Sequence, residues 1–457
     1  MIKKNLKYSV CIFIFAFTAS VFAGINWGPY LTWPTQEGIV VQFGKDFLDV
    51  AEIRWDDSAS YISSGSFSNS ANSSELDTRA DFTIRGYSPG TKIYYQIIAD
   101  DEESPIYSFR TNPELGSSVD FTVYGDNRTG EAIHTQICQL FHRYSPEFII
   151  NTGDLGDATW DIGDWDMYFR ATDTISPYVP IVSTIGNHEL PYSVYLYLFT
   201  LPNNEQWYTM HFGCVSVLCV NLYADYTSGS EQYNWIRATL TDSIPESTRW
   251  IIINEHESPY STSNHGSNLL VRSILKPLYD SLGVDVVVCG HDHCYEHSLV
   301  GGIHYFVSGG GGAPLYSVSG GDYTIFCERT YNFMVGHADS SDLCFSVHRE
   351  DNSLIEEFCL SDYMVSVTEN DFPYQYRLTA YPNPFNRMVK IRLPEKTNHT
   401  KIDIYDIHGN LIKQLSFQPN IEYLIWEPDN SVPDGIYFVS YKNSIGERLS
   451  QKLIYLK

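Results

Sequence analysis

The sequence predicts a multi-domain protein with an N-terminal β-sandwich, a central α/β domain and a small C-terminal β-sandwich. Length is the first observation, because 457 residues leave room for about two to four domains of ~100–200 residues each. Hydrophobic patterning is the second. Short alternating segments fill residues 24–113 and 377–457, whereas residues 119–350 alternate apolar runs with helix-like segments, which is typical of an α/β domain.

The first 23 residues have the pattern of a signal peptide. Three lysines precede the apolar run 10–17, and small residues lead to a cleavage position at Ala23. The alternative is a membrane anchor, although so short a run does not comfortably span a bilayer. Because no later segment has the ~20 apolar residues of a transmembrane helix, we expect a secreted or cell-surface protein without a transmembrane segment.

The first predicted domain covers residues 24–113. Its strands are short and separated by turn residues, as in "SPGTK" at 88–92. The strand segments read "GIVVQF", "AEIRW", "DFTIRGY", "KIYYQIIA" and "PIYSFRT". A β-sandwich of roughly 90 residues, close to the immunoglobulin type in size, fits this pattern.

The central domain, residues 119–350, contains five short apolar runs rich in Val, Ile and Phe. They occupy residues 119–125, 147–153, 179–186, 250–255 and 284–290. Helix-like segments at 131–144, 230–242 and 267–282 lie between several of them. Buried strands that alternate with helices indicate an α/β domain.

Charge and cysteine content exclude some classes of function. The formal net charge is −26, and no basic stripe is visible, so nucleic-acid binding by counterion release is not expected. Nine cysteines form no CxxC pair, and we expect most of them to be buried small side chains. Export would permit disulfides. Cys289 and Cys294 flank a histidine motif, but nearby histidines make a metal role for them unnecessary.

Potential metal ligands follow each of the five apolar runs. Six of them are Asp126, Asp154, Asn187, His256, His291 and His293, and His188 stands beside Asn187. Ligand sites form outside the carboxyl ends of strands in α/β sheets, so these side chains should converge. Oxygen and imidazole donors suit Fe, Zn or Mn. Six donors are too many for one ion with an open position, so two ions are expected, which would activate a water as metal-bound hydroxide for phosphoester hydrolysis.

The order of the motifs resembles the calcineurin-like metallophosphoesterases, and among them the purple acid phosphatase branch. The matching motifs are "GD" at 125–126, "GD" at 153–154, "GNHE" at 186–189, "HESPY" at 256–260 and "GHDHCYE" at 290–296. "GSEQYNWI" at 229–236 and His265-Gly266 add support. The resemblance implies a four-layer αββα sandwich, preceded at 24–113 by a fibronectin-III-like domain.

The resemblance also implies roles for the residues in these motifs. Asp154 would bridge two metal ions. Asp126 and His293 would hold the first ion, and the second would be held by Asn187, His256 and His291. His188 would bind the phosphoryl group or protonate the leaving alkoxide as a general acid. Glu296 would at most support the metal-bound histidines.

Two positions depart from the family pattern. The wider superfamily has a histidine where this chain has Arg128, and the purple branch has a tyrosine where this chain has Asp157. The first metal site therefore lacks its usual fourth protein ligand, unless Asp157 takes that place. Arg128 would bind phosphate through its planar guanidinium or form a salt bridge with a neighbouring carboxylate.

The last domain, residues 377–457, follows a linker predicted at 361–376. "YPNPFN" at 381–386, "IDIYDIHGNLIKQL" at 402–415, "DGIYFVSY" at 434–441 and "KLIYLK" at 452–457 resemble the C-terminal sorting domain of the type IX secretion system. The resemblance implies secretion or surface display through that machinery. The alternative is a carbohydrate-binding or spacer sandwich.

Three hypotheses for function follow. The first is a secreted dinuclear metallophosphatase that hydrolyses small phosphate monoesters. The second is a phosphodiesterase or nucleotide hydrolase that uses the same metals. The third is a surface protein with weakened catalysis, which the departures at Arg128 and Asp157 would favour.

Overall fold

The computed structural model describes most of the chain, in two compact units, Met1–Tyr363 and Met364–Lys457. The described ranges are 25–47, 49–157, 165–361, 379–381, 385–392, 401–406, 410–416, 423–429, 431–442 and 448–457. The predicted signal peptide lies outside them, as does the predicted linker apart from Ser361. Within these ranges, no helix has the length and apolar character needed to cross a membrane.

The described strands number 28 and the α-helices seven. The strands are β1 (Trp27–Thr35), β2 (Gly38–Gly44), β3 (Glu52–Asp56), β4 (Asn69–Asn72), β5 (Arg79–Ile84), β6 (Lys92–Ala99), β7 (Glu102–Glu103), β8 (Tyr107–Arg110), β9 (Val119–Tyr124), β10 (Phe148–Asn151), β11 (Ile181–Ser183), β12 (Tyr208–Phe212), β13 (Val215–Cys219), β14 (Trp250–Asn254), β15 (Val286–Cys289), β16 (Tyr295–Val300), β17 (Ile303–Ser308), β18 (Thr324–Glu328), β19 (Asn332–Ala338), β20 (Asp342–Arg349), β21 (Leu354–Ser361), β22 (Thr379–Tyr381), β23 (Val389–Arg392), β24 (Lys401–Asp406), β25 (Leu411–Ser416), β26 (Tyr423–Trp426), β27 (Gly435–Lys442) and β28 (Arg448–Tyr455). The helices are α1 (Ala59–Ser63), α2 (Glu131–Phe141), α3 (Asp166–Thr172), α4 (Ser193–Leu198), α5 (Glu231–Ala238), α6 (Leu269–Ile274) and α7 (Lys276–Ser281).

Strands β1 to β8 form two antiparallel sheets. One has the order β1-β2-β5, and the other has the order β4-β3-β6-β7 with β8 also paired to β6. Side chains alternate between buried and solvent-facing along β5, where Ala80, Phe82 and Ile84 point inward. They share one apolar core with Ile53 of β3 and Ile93 of β6. The segment therefore has two facing sheets, while its fibronectin-III-like type stays a prediction.

The five apolar runs of the central region are strands β9, β10, β11, β14 and β15, as predicted. They are divided between two sheets. A six-stranded sheet has the order β11-β10-β9-β19-β20-β21, and a seven-stranded sheet has the order β12-β13-β14-β15-β17-β16-β18. Strands β9, β10 and β11 are parallel, and so are β13, β14, β15 and β17. This is an α/β sandwich with more than one sheet.

Residues within single strands show why the layers stack. Ile252 of β14 packs into a core that also contains Val123 of β9 and Ile150 of β10, in the other sheet. The next residue, Ile253, packs into a separate core with Val271 of α6 and Leu278 of α7. Because successive side chains of a strand point to opposite faces, the seven-stranded sheet is buried on both sides. This explains its near-continuous apolar runs.

The predicted helices are present, but two of them are interrupted. The segment 230–242 forms α5 and then a wider turn over Thr239–Ser243. The segment 267–282 forms α6 and α7, which meet at Leu275. Pro277 near the start of α7 has no N–H to donate and its ring conflicts with the preceding turn, so one continuous helix is not possible.

The six-stranded sheet continues beyond residue 350, the domain end predicted from the sequence. Strand β21 pairs with β20, and Cys344 lies directly opposite Cys359. These two cysteines form a disulfide with an S–S distance of 2.03 Å. The free cysteines of the described ranges are buried except for Cys327, which is half-buried, so burial accounts for most cysteines, as predicted.

The second unit contains two small antiparallel sheets. Their orders are β22-β23-β26 and β25-β24-β27-β28. Ile391 of β23 and Trp426 of β26 share a core with Ile404 of β24 and Val439 of β27. The described strands therefore pair in two sheets around one core, which is the pattern expected for the C-terminal region.

Candidate metal centre

The donors predicted at strand ends lie in tight turns after their strands. Asp126 follows β9, Asp154 follows β10 and His291 follows β15, and these three residues have φ values of 55°, 56° and 66°. Residues other than glycine seldom adopt this left-handed backbone, at a cost of order 1–3 kcal/mol each, and they cluster at functional sites. The turns direct these side chains back across the strand ends.

Two glycines permit the close approach of these turns. A Cβ atom on Gly186 would lie 2.2 Å from Asp154 Oδ1, and a Cβ atom on Gly290 would lie 2.1 Å from Asp126 Oδ2. Both distances are far below contact, so no larger residue fits without moving a carboxylate. The glycines of "GNHE" and "GHDH" therefore make room for the donors of neighbouring turns.

The first group of donors contains Asp126 and His293. The His293 Nδ1–H donates to the carbonyl oxygen of Pro314 at 2.8 Å, which leaves Nε2 facing Asp126 Oδ1 at 3.5 Å. The carboxylate of Asp126 also accepts from the backbone N–H of His291 at 2.9 and 3.0 Å. A carbonyl partner on one ring nitrogen fixes the tautomer that presents the other nitrogen to a metal.

The second group is built in the same way around His256. Its Nδ1–H donates to the Thr152 carbonyl at 2.7 Å, and its Nε2 lies 3.2 Å from Asn187 Oδ1 and 3.3 Å from Asp154 Oδ1. His256 is fully buried. The ring of His291 lies 5.0 Å from the His256 ring, centroid to centroid, so all four residues meet in one place.

Asp154 lies between the two groups. One ligand atom each of Asp126, Asp154 and His256 lies within 4.8 Å of the other two, which is compatible with a carboxylate shared between neighbouring cations. The pKa of His291 is lowered to about 3, chiefly by burial and then by the nearby His256 and His265 rings. The neutral imidazole is the form that binds a metal.

A small polar cavity opens onto these donors, with a volume of about 110 Å³. Its lining consists of Arg128, Asp154, Asn187, His188, His265, His291, His293 and Tyr316. A larger hollow of about 660 Å³ lies beside residues 190–196, but its lining offers no carboxylate, imidazole or guanidinium group. The small cavity is therefore the candidate site. Asp126 and His256 lie beneath it rather than on its surface.

Arg128 and Asp157, the two departures from the family pattern, form an ion pair. Arg128 Nη1 donates to Asp157 Oδ1 at 2.8 Å, and Arg128 Nε lies 3.4 Å from Asp154 Oδ2. The salt-bridge alternative for Arg128 is thus present, while its guanidinium also lines the cavity. Within the described ranges, the donor group that could hold a metal does not include Asp157.

His188 lies at the edge of the cavity with its ring held from one side. Its Nδ1–H donates to the backbone carbonyl of Asp157 at 2.5 Å, and its Nε2 lies 3.9 Å from Asp154 Oδ2. The backbone N–H of His188 donates to Asp154 Oδ1 at 3.0 Å. The second ring nitrogen therefore lies towards Asp154, which lines the cavity together with His188.

Glu189 supports the site, although the sequence analysis assigned it no role within "GNHE". Its carboxylate accepts from the backbone N–H groups of Gly186 at 2.7 Å, Asp154 at 3.0 Å, Leu155 at 2.8 Å and Gly156 at 3.4 Å. Burial, followed by the charge of Asp154, raises its pKa to about 7. Glu189 thus joins the turns that follow β10 and β11.

Glu296 bonds to residues other than the candidate metal-binding histidines, which is within the limit expected for it. Its carboxylate accepts from Thr262 N–H, Thr262 Oγ1 and Thr324 Oγ1 at 2.7–2.9 Å, whereas His293 and His256 have backbone carbonyls as partners. Asp292, between His291 and His293, accepts from the backbone N–H of His265 at 2.8 Å. These partners were not predicted, because they lie in loops distant in the sequence.

Comparison with known proteins identifies two regions of the chain. The family model for calcineurin-like phosphoesterases matches residues 121–295. The family model for the secretion system C-terminal sorting domain matches residues 379–456. Both resemblances seen in the sequence are thereby confirmed.

Individual relatives are similar to part of the chain. The chain is 30% identical over 226 residues to purple acid phosphatase 21 of Arabidopsis thaliana, covering 46% of this chain and 50% of that protein. It is 27% identical over 262 residues to an uncharacterised protein of Mycobacterium tuberculosis, covering 47% and 50%. The chain thus spans about half the length of these curated relatives.

A solved structure gives the same result at the level of fold. A purple acid phosphatase from yellow lupin (Lupinus luteus) seeds superposes with a TM-score of 0.65 at 20% identity, over 75% of each chain. The turns that follow β9, β10, β11, β14 and β15, their donors and the two family matches lead to one assignment. This chain carries a calcineurin-like phosphoesterase domain with purple acid phosphatases among its relatives, followed by a secretion system C-terminal sorting domain.

Proposed function

We propose that the protein is a secreted, metal-dependent phosphoesterase that hydrolyses small phosphate monoesters at the candidate metal centre. One observation carries the proposal: donors from five separate strand ends meet at and beneath a polar cavity, and ligand atoms of Asp126, Asp154 and His256 lie within 4.8 Å of one another. A buried cluster of two carboxylates and an imidazole is costly without a compensating cation.

The donor set fits two cations. Asp126 and His293 would hold one, Asn187 with His256 and His291 would hold the other, and Asp154 would be shared. All six offer oxygen or imidazole nitrogen, which suits Fe, Zn or Mn. A pair of bound cations supplies Lewis acidity that activates water and offsets the charge of a phosphoryl group.

Residues at the cavity would bind and orient the ester. The Arg128 guanidinium can donate two parallel hydrogen bonds to phosphoryl oxygens, a geometry that lysine lacks. His188, fixed through Nδ1 by the Asp157 carbonyl, would donate a proton from Nε2 to the leaving alkoxide. The cavity of about 110 Å³ takes little more than the phosphoryl group, so the rest of the ester would extend into solvent.

The size and charge of the cavity favour monoesters over diesters. A monoester presents three phosphoryl oxygens that are free to meet Arg128 and the cations, whereas a diester presents two and carries a second substituent. One alternative is the hydrolysis of diesters or nucleotides at the same centre. A second alternative is a surface protein that has lost catalysis, and the retained metal donors argue against it.

The C-terminal sorting domain supports export. Its match over residues 379–456 would direct the chain to the type IX secretion machinery, which is the proposed partner, and from there to the medium or the cell surface. The signal peptide predicted at 1–23 would bring the chain to that machinery.

The test is metal content and turnover in the wild type and in Asp154→Asn. We expect two metal ions per wild-type chain by plasma mass spectrometry, and faster hydrolysis of an aryl phosphate than of a bis-aryl phosphate. Asp154→Asn should lose at least one ion and about 10³-fold or more in kcat, because one group serves both cations. Asp120→Asn is the control, since Asp120 is 52% exposed and pairs with His337 away from the site.

Each outcome separates the hypotheses. Faster diester hydrolysis would favour the phosphodiesterase alternative. A wild type with no metal and no turnover would refute the enzyme proposal and favour the surface protein. Asp154→Asn with full metal content and normal kcat would refute the shared role of Asp154.

A further inference from the structure

We propose that Asp157 is a positioning residue that holds the Arg128 guanidinium in the orientation that binds a phosphoryl group. This inference rests on the proposed function, because it concerns the same cavity. It replaces the sequence-based alternative in which Asp157 supplies the missing ligand of the first metal. It also gives Arg128 and Asp157, which both depart from the family pattern, one joint role.

The contact between the two side chains is specific at one end of the guanidinium. Arg128 Nη1 donates to Asp157 Oδ1 at 2.8 Å. The Arg128 side chain is 15% exposed, whereas that of Asp157 is 52% exposed. The carboxylate thus contacts the guanidinium from the more exposed side, while Arg128 also lines the cavity.

Another donor of the guanidinium is buried without a hydrogen-bond acceptor in the described part of the chain. Arg128 Nε has no hydrogen-bond partner there and lies 3.4 Å from Asp154 Oδ2. Buried donors are normally paired, and leaving one unpaired costs about 1–3 kcal/mol. An anion in the cavity would supply the missing acceptor, which indicates that this side of the guanidinium is prepared for a ligand.

The turns that carry the pair are joined to each other as well. The backbone N–H of Arg128 donates to the Asp154 carbonyl at 3.3 Å, and the backbone N–H of Asp126 donates to the Gly153 carbonyl at 3.0 Å. The distance between the Cα atoms of Arg128 and Asp157 is therefore set by the ends of β9 and β10. The side-chain torsions of Arg128 remain to be restricted, and the Asp157 carboxylate makes the shorter of the two contacts that restrict them, at 2.8 Å against 3.4 Å for Asp154.

A ligand role for Asp157 does not fit its surroundings. Its carboxylate is half exposed and engaged by Arg128, whereas Asp126 and Asp154 are fully buried. The shorter of its two contacts with His188 is made by the backbone carbonyl, which accepts from His188 Nδ1 at 2.5 Å, while Asp157 Oδ1 lies 3.5 Å from the same nitrogen. Replacing the side chain of Asp157 therefore removes its contact with Arg128 and leaves the carbonyl hydrogen bond that orients His188.

Simple charge neutralisation is the competing explanation, and it predicts the opposite result. If Asp157 merely cancels the positive charge of Arg128, removing its charge should strengthen anion binding. If Asp157 orients the guanidinium, removing it should weaken binding, because a free arginine side chain must lose rotamer freedom when the phosphate binds. The sign of the change in affinity therefore distinguishes the two.

The experiment measures the dissociation constant of inorganic phosphate by calorimetry, together with metal content, for Asp157→Asn, Asp157→Glu, Arg128→Gln and the double variant Arg128→Gln/Asp157→Asn. For Asp157→Asn we expect phosphate affinity to fall up to about tenfold, because a charge-assisted hydrogen bond to Arg128 is replaced by a weaker neutral one at a half-exposed site. Metal content should equal that of the wild type. KM for an aryl phosphate should rise by a similar factor with a smaller change in kcat.

Two comparisons make the result specific to Arg128. Asp157→Asn should have no further effect on phosphate affinity in the Arg128→Gln background, since its role acts through the guanidinium. Asp157→Glu keeps the charge and should restore part of the affinity. Glu131→Gln is the matched control, because it breaks an exposed ion pair with Arg170 and should leave phosphate affinity unchanged.

Unchanged or tighter phosphate binding by Asp157→Asn would overturn the proposal, and tighter binding would support neutralisation. Loss of metal would also overturn it and support the ligand role. An equal loss in the Arg128→Gln background would show that Asp157 does not act through Arg128. Failure of the proposed function is a separate result, visible as a wild type without metal or turnover. If the Tm of Asp157→Asn shows that this variant is poorly folded, Asp157→Ser replaces it in the same measurements.

Discussion

Removal of the Glu189 side chain should destabilise the protein and weaken metal binding together. In Glu189→Ala, four buried backbone N–H groups lose their acceptor, those of Gly186, Asp154, Leu155 and Gly156. Three of these bonds are 3.0 Å or shorter, and the bond from Gly156 at 3.4 Å is weak. Glu189 itself is fully buried, so water does not reach these donors without some rearrangement.

The size of the effect follows from these three short bonds. An unpaired buried donor costs about 1–3 kcal/mol, which gives a gross loss of roughly 3–9 kcal/mol. Removal of a buried carboxyl group recovers some desolvation energy, and water can enter the space that the side chain leaves. We therefore expect the free energy of unfolding to fall by about 3–5 kcal/mol. Because Glu189 holds the backbone of Asp154, metal affinity should fall about 10–100-fold, as for other residues that orient ligands.

The free energy of unfolding is measured on chelator-treated protein by urea unfolding, monitored by tryptophan fluorescence. Metal affinity is measured by titration with metal. Glu131→Ala is the control, since Glu131 forms an exposed ion pair with Arg170 and should change stability by at most about 1 kcal/mol. A loss below 1 kcal/mol for Glu189→Ala, or unchanged metal affinity, would contradict the role given to this carboxyl group.

Two further predictions concern pH and the disulfide. Burial raises the pKa of Glu255 from 4.5 to about 8, so the folded chain keeps a proton that the unfolded chain releases, and stability should fall as pH rises from about 4.5 to 8. In Glu255→Gln, this fall should shrink by roughly 3–5 kcal/mol, as measured by urea unfolding of chelator-treated protein across that range; an unchanged slope would refute the assignment. Replacing Cys344 and Cys359 by alanine opens a loop with a sequence separation of 15 and should cost about 3 kcal/mol. The wild type treated with reductant should match that variant, and equal stability of oxidised wild type and variant would show that the bond contributes nothing.

The parts of the fold predicted from sequence are those set by local pattern. Runs such as 147–153 and 284–290 are apolar because their strands are buried on both faces, and the pattern identifies them directly. The pairing of strands is not local. Strand β19 (Asn332–Ala338) lies beside β9 (Val119–Tyr124), some two hundred residues earlier, and the residues of neither strand indicate this.

The candidate site shows the same division. Asp126, Asp154 and His291 were predicted because acidic and imidazole side chains directly follow buried strands. The roles of Asp157 and Glu189 were missed because each depends on a partner in another turn: Arg128 for Asp157, and the turn after β10 for Glu189. The partners of Glu296, Thr262 and Thr324, were not predicted for the same reason.

The six donors come from both sheets of the sandwich. Asp126, Asp154 and Asn187 follow strands of the six-stranded sheet, whereas His256, His291 and His293 follow strands of the seven-stranded sheet. Cations held by this set would cross-link the two layers at one edge. Ion binding would then be thermodynamically coupled to the contact between the two sheets, so a motion that separates the sheets at this edge would also release the ions. The catalytic centre would thus also stabilise the packing of the two sheets against each other.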